Sequence, residues 1–249
     1  MTMKTALVCI AKNEDNYIEE WINYHIKLGF ENIFIYENNW RCQIEHPQVI
    51  KIPFDGEVKQ VPAYNHFLQN YRESFDWVGF IDVDEFLNLS EDKHVNDFFK
   101  RFNHMNGVGV NWFLFGDNHL ERVENNDYSV IKRFTKRQKS SNQHIKTFIN
   151  LKQSKNVTMG VHNCNLPVSN QDFQLFTGPF CKNCSDKYAK LNHYFTKTKE
   201  EFLEKINRGR ADTSIKRNLS EFEGHNVNEV EDLNILNFMY NDNNNLLNT

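Results

Sequence analysis

In WVGFIDVDEFLNL, residues 77–89, the acids Asp82, Asp84 and Glu85 stand at the end of a run that otherwise reads as a buried strand. Ligands of open α/β sheets bind beyond the carboxyl ends of the strands, so acids placed there face a cleft. Period-two alternation points Asp82 and Asp84 the same way. That arrangement suits two carboxylates sharing one hard divalent cation, with positions left open for phosphate oxygens. The plainer alternative is a strand-end turn whose acids are solvated. The apolar run on both sides, continued by Phe86 and Leu87, favours the cation.

The elements needed to hold these acids can be read around them. KTALVCI is a short apolar run suited to a parallel strand covered on both faces. Asn13 is placed to cap a helix carrying Ile18, Trp21, Ile22 and Ile26 at helical spacing, and Gly29 ends it. ENIFIY and QVIKI follow as strands, and VPAYNHFLQNYRE as a helix leading into WVGFI. After the acids, HVNDFFKRF reads as helix, whereas GVGVNWFLF, YSVIKRF, HIKTFINL and LNHYF read as strands; KEEFLEKI and DLNILNFM return to the helical pattern. The alternation predicts an α/β fold with a mostly parallel sheet.

Composition narrows the functional classes. A chain of 249 residues with 39% hydrophobic residues can build one substantial core, and no Pro-, Gly- or Ser-rich linker marks a domain boundary. One domain over residues 1–240 is expected, followed by a polar tail at 241–249. The formal charge of -4 is spread over interspersed acids and bases, so no basic stripe invites nucleic acid. No run approaches the ~18 apolar residues of a membrane span, and the N-terminus lacks a signal-peptide core. Five cysteines, an odd number, suit reduced thiols. A cytoplasmic location follows as the expectation, with peripheral contact at the inner face of a membrane.

Taken in order, AKNEDNYIEEWINYHIKLGFENIFIYENN, AYN, WVGFIDVDEF, NWFLFGDN, SVIKRF, KTFI, GVHN and NHYFTKTKEEFLEKINRGRAD resemble bacterial glycosyltransferases of the family 2 and family 92 type, several of them encoded with capsule or lipopolysaccharide genes. The resemblance covers roughly residues 4 to 212. It implies a GT-A fold, with a Rossmann-like nucleotide-sugar-binding half at about 1–105 and a mixed acceptor-binding half at about 106–240. It also implies transfer of a sugar from a nucleotide donor, a UDP-sugar first among them, to a glycan hydroxyl that can be lipid-linked, with inversion.

A departing nucleoside diphosphate needs its developing charge neutralised, which Mn2+ or Mg2+ does by Lewis-acid contact. By the resemblance, Asp84 is the principal metal ligand, Asp82 shares the metal or holds the ribose, and His193 is the third ligand, with His162 of GVHN competing. The turn Ala11-Lys12-Asn13-Glu14 opens a helix whose amides and dipole can receive the donor. Glu37 and Asn38 stand where the base is held, although Glu37 replaces a more usual aspartate. Gln60, Tyr64 and Asn65 match a stretch kept near the donor. Inversion by direct displacement needs a general base, and Asp117 after Gly116 is the first candidate, with Glu121 and Asp212 as alternatives. Arg133, Lys146 and Arg208 fall in matching segments that can hold phosphate or acceptor.

Four further readings compete. Cys181 and Cys184 form C-x-x-C and, with His162 and Cys164, could ligate zinc, although the spacing is unusual. IDVDEF resembles the D-x-D-x-T of haloacid dehalogenase-type phosphatases, but Phe86 occupies the place of the threonine. A sugar nucleotidyltransferase would show a Gly-rich basic loop after the first strand, where AKNED has no glycine. A non-catalytic carbohydrate-binding protein would stack sugars on Trp40, Trp112 or Tyr194; most of the 21 phenylalanines, however, lie in apolar runs that read as core.

Overall fold

The computed structural model describes residues 3–182 and 185–240. Its elements, in chain order, are β1 (Thr5–Ala11), α1 (Ile18–Lys27), β2 (Asn32–Glu37), β3 (Val49–Pro53), α2 (Gln60–Asn70), β4 (Trp77–Phe80), β5 (Glu85–Leu89), α3 (Val95–Arg101) and β6 (Gly107–Leu114). Then come α4 (Val130–Arg133), β7 (Lys136–Arg137), β8 (Ile145–Asn150), β9 (Val168–Ser169), β10 (Leu175–Phe176), β11 (Ala189–His193), α5 (Lys199–Arg208), α6 (Leu219–His225), β12 (Val230–Glu231) and α7 (Asn234–Tyr240). No helix of the described residues is long and apolar enough to cross a membrane.

Strands β3, β2, β1 and β4 lie side by side and parallel, in that order. Strand β8 adds antiparallel to β4 and to β6, and β11 joins β6 to β5. The α/β class is present, as is the division into a parallel half and a mixed half. The alternation of β1 explains the double covering. Leu7, Cys9 and Ala11 enter one core cluster with Trp21 and Ile22 of α1, while Ala6, Val8 and Ile10 enter the other with Tyr64 and Phe67 of α2. The strand is apolar throughout because neither face sees water.

Three local expectations are corrected. YSVIKRF forms the short helix α4 instead of a strand. Its β-branched residues favour extension, but the Ser129 side chain caps the turn by accepting from Lys132 N, and the Glu20 carboxylate accepts from Val130 N at 2.8 Å. Asn13 does not cap α1, which begins at Ile18 after Tyr17; Asn13 itself adopts φ 52° in the turn after β1. Asp82 and Asp84 lie beyond the end of β4, in a turn closed by Glu85 N donating to Asp82 O at 3.0 Å, so strand alternation does not aim them. Residues 241–249, expected as a polar tail, lie outside the described residues.

Candidate active site

The turn between β4 and β5 forms the floor of a cavity of about 160 Å³ at the carboxyl ends of the parallel strands. Each carboxylate in that floor has its own lysine. Asp82 Oδ2 accepts from Lys146 Nζ at 2.9 Å, and Asp84 Oδ2 from Lys205 Nζ at 2.5 Å. Lys146 comes from β8 and is fully buried; its Nζ also stands 3.6 Å from Glu85 Oε2 and donates to Val161 O at 3.3 Å. Burial alone would pull Lys146 down, but Asp82 and Glu85 outweigh it and hold the ammonium protonated. Burial pushes Asp84 up, yet Lys205 and His193 hold it well below the usual carboxylate range.

Glu85 does not share the cleft. It is fully buried at the start of β5, where Oε2 accepts from Asp82 N at 2.8 Å and shapes the turn, while burial raises its carboxyl strongly. Its Oε1 has no hydrogen-bond partner.

Asp82 is further held by Gln60 Nε2 at 2.6 Å and by the Tyr64 hydroxyl at 3.3 Å, both on Oδ1. With Oδ1 taken twice and Oδ2 once, Asp82 has room for one more donor at Oδ2, and its side chain is 33% exposed. It is thus better suited to a hydroxyl than to a share in a metal. Asp84 Oδ1 instead faces His193 Nε2 at 3.6 Å. Burial lowers His193 despite Asp84, so its imidazole is held neutral, the ligating form, and Nδ1 lacks a partner. Among the described residues no three His, Cys, Asp or Glu side chains stand together as a metal cage. One carboxylate and one imidazole nevertheless fit a Mg2+ or Mn2+ ion that draws its remaining ligands from substrate phosphates and water.

The opposite wall is cationic. Lys205 and Arg208 reach in from α5, and Arg210 and Arg217 from the segment after it, facing Lys12 from the turn after β1. Arg208 pairs with Glu14, and Arg210 is bidentate to Glu221 at 2.7 and 2.8 Å. Lys12 and Arg217 have no ion pair among the described residues. The Asp84–Lys205 pair is lopsided: Asp84 gains from it, whereas burial, with Lys197 and Arg217 nearby, brings Lys205 down to about 8. Burial and the neighbouring Arg210 likewise lower Arg217. Lys12 and Arg217, the two wall cations with no ion pair among the described residues, leave a place for an anion such as a diphosphate.

The sequence candidates divide accordingly. Lys12, Glu14, Asn38, Gln60, Asp82, Asp84, His162, His193, Arg208 and Asp212 line the cavity. Ala11 and Tyr64 support it from the core, and Asn65 clamps Met159 by paired hydrogen bonds of 2.9 and 3.0 Å, steadying the segment that carries His162. Asn13 lines a neighbouring cavity instead. Glu37 is turned inward to accept from Cys42 N at 2.9 Å, so it shapes the loop after β2 and does not line the cavity.

Asp117 is a correction: it does not line the cavity. Its carboxylate is taken by Asn226 Nδ2, Asn228 Nδ2 and His119 N at 2.8 to 3.1 Å, the role of a turn aspartate. Glu121 is exposed and also off the cavity. Arg133 binds Glu201 and does not line the cavity. Asp212 is the cavity carboxylate with no hydrogen bond or ion pair among the described residues. Cys164 Sγ donates to Leu166 O within the core, Cys181 is buried, and Cys184 lies outside the described residues. Tyr194 is buried in the core and Trp40 donates to Asp15. Lys205, Arg210 and Arg217 were not legible as site residues: in KEEFLEKINRGRADTSIKR they read as solvated helix and loop charges.

Fold and site together define an α/β protein with an acidic strand-end turn under a cationic wall. The family model described as glycosyltransferase family 92 matches residues 57–223, and the chain belongs to that family. A family 92 protein of Oryza sativa subsp. japonica is 31% identical over 105 residues, 38% of this chain and 18% of its own. One of Ricinus communis is 32% identical over 127 residues, 45% of this chain and 23% of its own. The chain thus spans about a fifth of the length of these curated relatives. They are plant proteins, so the family 92 part of the resemblance is shown and its bacterial part gains nothing from them. Among solved structures, S. aureus TarS gives a TM-score of 0.39 at 13% identity, covering 82% of this chain and 38% of that one. The cytidylyltransferase IspD of Francisella tularensis gives 0.33 at 15%, covering 59% and 73%.

Proposed function

We propose that this chain transfers a sugar from a nucleotide-sugar donor to a glycan hydroxyl, with inversion and with the help of Mn2+ or Mg2+. The observation that carries the reading is the meeting, in one strand-end cavity, of Asp84 and His193 with Lys12 and Arg217, two cations that have no ion pair among the described residues. Lys12, Arg208 and Arg217 would bind the diphosphate, and Asp82, fixed by Gln60, Tyr64 and Lys146, would accept from a ribose hydroxyl. Asp84 and His193 would hold the divalent ion, which would supply Lewis-acid stabilisation of the leaving diphosphate. Asp212 would take the proton from the attacking hydroxyl, since a base must have an unoccupied oxygen. A UDP-sugar is the first donor to try. A role in cell-surface polysaccharide synthesis, with a lipid-linked acceptor reached from the cytoplasm, belongs to the same reading and is supported by the resemblance of the sequence.

Thermal shift with UDP-sugars, with and without Mn2+, tests it. Binding to the folded state raises stability by about 2.7 kcal/mol at 100 times Kd. The wild type should respond only with metal, and Asp84→Asn should not respond. Equal shifts for both proteins in the presence of chelator would reject the metal-assisted donor site.

A further inference from the structure

We infer that a second groove, bordered by residues 138–144, Phe180 and Val227–Glu229, binds the acceptor as a chain of neutral sugar residues and leads its end to the donor cavity. The inference rests on the donor reading above and extends it to the acceptor. The groove encloses about 700 Å³, within the roughly 300–1,000 Å³ of sites that hold ligands of drug size.

Its walls match the two kinds of surface on a sugar ring. Ser140, Ser141 and Gln143 offer hydroxyls and an amide to hydroxyl edges, and Gln138 its side-chain carbonyl. His144 and Phe180 offer rings to the apolar C–H faces; they meet edge to face at 4.6 Å, and Phe180 is 49% exposed. Among the described residues the charged groups lining the groove are Lys139 and Glu229, one of each sign, with Lys139 N donating to Glu229 Oε2 at 2.6 Å. This balance contrasts with the cationic donor cavity and favours a neutral ligand.

The groove is tied to the donor cavity by an aromatic stack. His144 lies flat on Trp112, with centroids 4.8 Å apart and an interplanar angle of 18°, and Trp112 in turn lines the donor cavity beside His162 and His193. Trp112 is 8% exposed and its Nε1 has no hydrogen-bond partner, a condition buried indoles rarely keep. Nδ1 of His162, whose ring centroid is 5.2 Å from that of Trp112, is also unpartnered. A ligand hydroxyl at this junction would relieve groups that cost about 1–3 kcal/mol each when left unmet.

The wall is also preorganised. Asn142 N donates to Trp112 O at 2.8 Å, Trp112 N to His144 O at 3.0 Å, and Cys181 N to Gln143 O at 2.9 Å, fixing the loop between β7 and β8 before any ligand arrives.

A glycan array carrying neutral and anionic oligosaccharides, probed with the wild type, Phe180→Ala and Ser141→Trp, decides the matter. The exposure of Phe180 keeps its truncation from emptying the core. The wild type should retain neutral oligosaccharides, and both variants should bind them at least about tenfold more weakly. Their thermal shift with UDP and Mn2+ should equal that of the wild type. Retention of anionic glycans only, no retention at all, or variants that bind like the wild type would overturn the groove. Absence of the UDP shift in the wild type would overturn the donor reading instead, which keeps the two failures apart.

Discussion

At the scale of single residues, the site turns on which carboxylates are already engaged. Asp117 and Asp212 are both acids after a glycine-containing loop, and nothing in the sequence ranks their freedom. In the fold Asp117 is surrounded by Asn226, Asn228 and its own loop, whereas Asp212 lines the donor cavity with no hydrogen bond or ion pair among the described residues. Asp212→Asn should therefore lower turnover by about 10²–10⁴ while donor affinity stays near the wild type, because a lost base weakens the transition state and not the ground state. Asp117→Asn should keep most of the transfer activity. The reverse ranking in steady-state kinetics would return the role to Asp117. The same contrast shows what was legible. The acids Asp82 and Asp84 announced themselves because charge at the end of an apolar strand is costly without a purpose. Their partners Lys146 and Lys205 come from sequence positions 64 and 121 residues away, and no local pattern links a lysine to a distant aspartate. Glu85 reads as a third cleft acid only until the turn geometry sends it inward.

At the scale of elements, the donor wall depends on how α5 is seated. Its first turn carries a capping box in which Thr198 Oγ1 accepts from Glu201 N and the Glu201 carboxylate accepts from Thr198 N. That carboxylate also accepts two hydrogen bonds from Arg133 of α4, at 2.7 and 2.9 Å, and one from Tyr17 at 2.8 Å. One buried side chain thus ties two other parts of the chain to the helix that presents Lys205 and Arg208. Burial raises the Glu201 carboxyl, but Arg133 outweighs it and brings it down to about 2. A carboxylate depressed by folding contributes stability above its ordinary value near 4.5, and that contribution is lost as pH falls toward 2. Glu201→Gln should cost about 3–5 kcal/mol at pH 7 by leaving Arg133 unpaired. The gap to wild type, followed by urea unfolding, should shrink as pH is lowered below 4.5. A gap constant with pH would remove Arg133–Glu201 as the lock. Sequence patterning found α5, because KEEFLEKI carries the helical pattern locally, and it found β1, β2, β4, β6 and β8, because their apolar runs read as buried strands. It mistook α4 for a strand because the capping contact from Glu20 comes from another helix.

At the scale of the whole molecule, the two halves share a core. The largest cluster runs from Leu7 of β1 to Ile235 of α7 and includes Trp112 and Tyr194 of the mixed half, so the halves have little freedom to hinge apart. The donor cavity, at about 160 Å³, is nevertheless smaller than the roughly 300 Å³ at which ligand sites of drug size begin. The difference must come from something that can yield. The strands cannot, but residues 209–217 cross the cavity outside any helix or strand. They are held by Gln60 N donating to Ala211 O at 3.0 Å, Arg217 Nη1 to Gly209 O at 3.1 Å, and Arg210 to Glu221. Gly209, with φ 85° and open space around it, sits at the end of α5 where the chain leaves the helix. On the donor reading proposed above, such a segment would open to admit the donor and close when Arg217 meets its diphosphate. Hydrogen exchange at 209–217 should be fast in the free protein and slow by roughly a hundredfold with UDP and Mn2+ at about 100 times Kd, since exchange then requires ligand release. Arg217→Gln should lose most of that protection while keeping the exchange pattern of β1 and β4. Protection that appears in the strands but leaves 209–217 unchanged would mean that the cavity enlarges elsewhere and that this segment is not its cover.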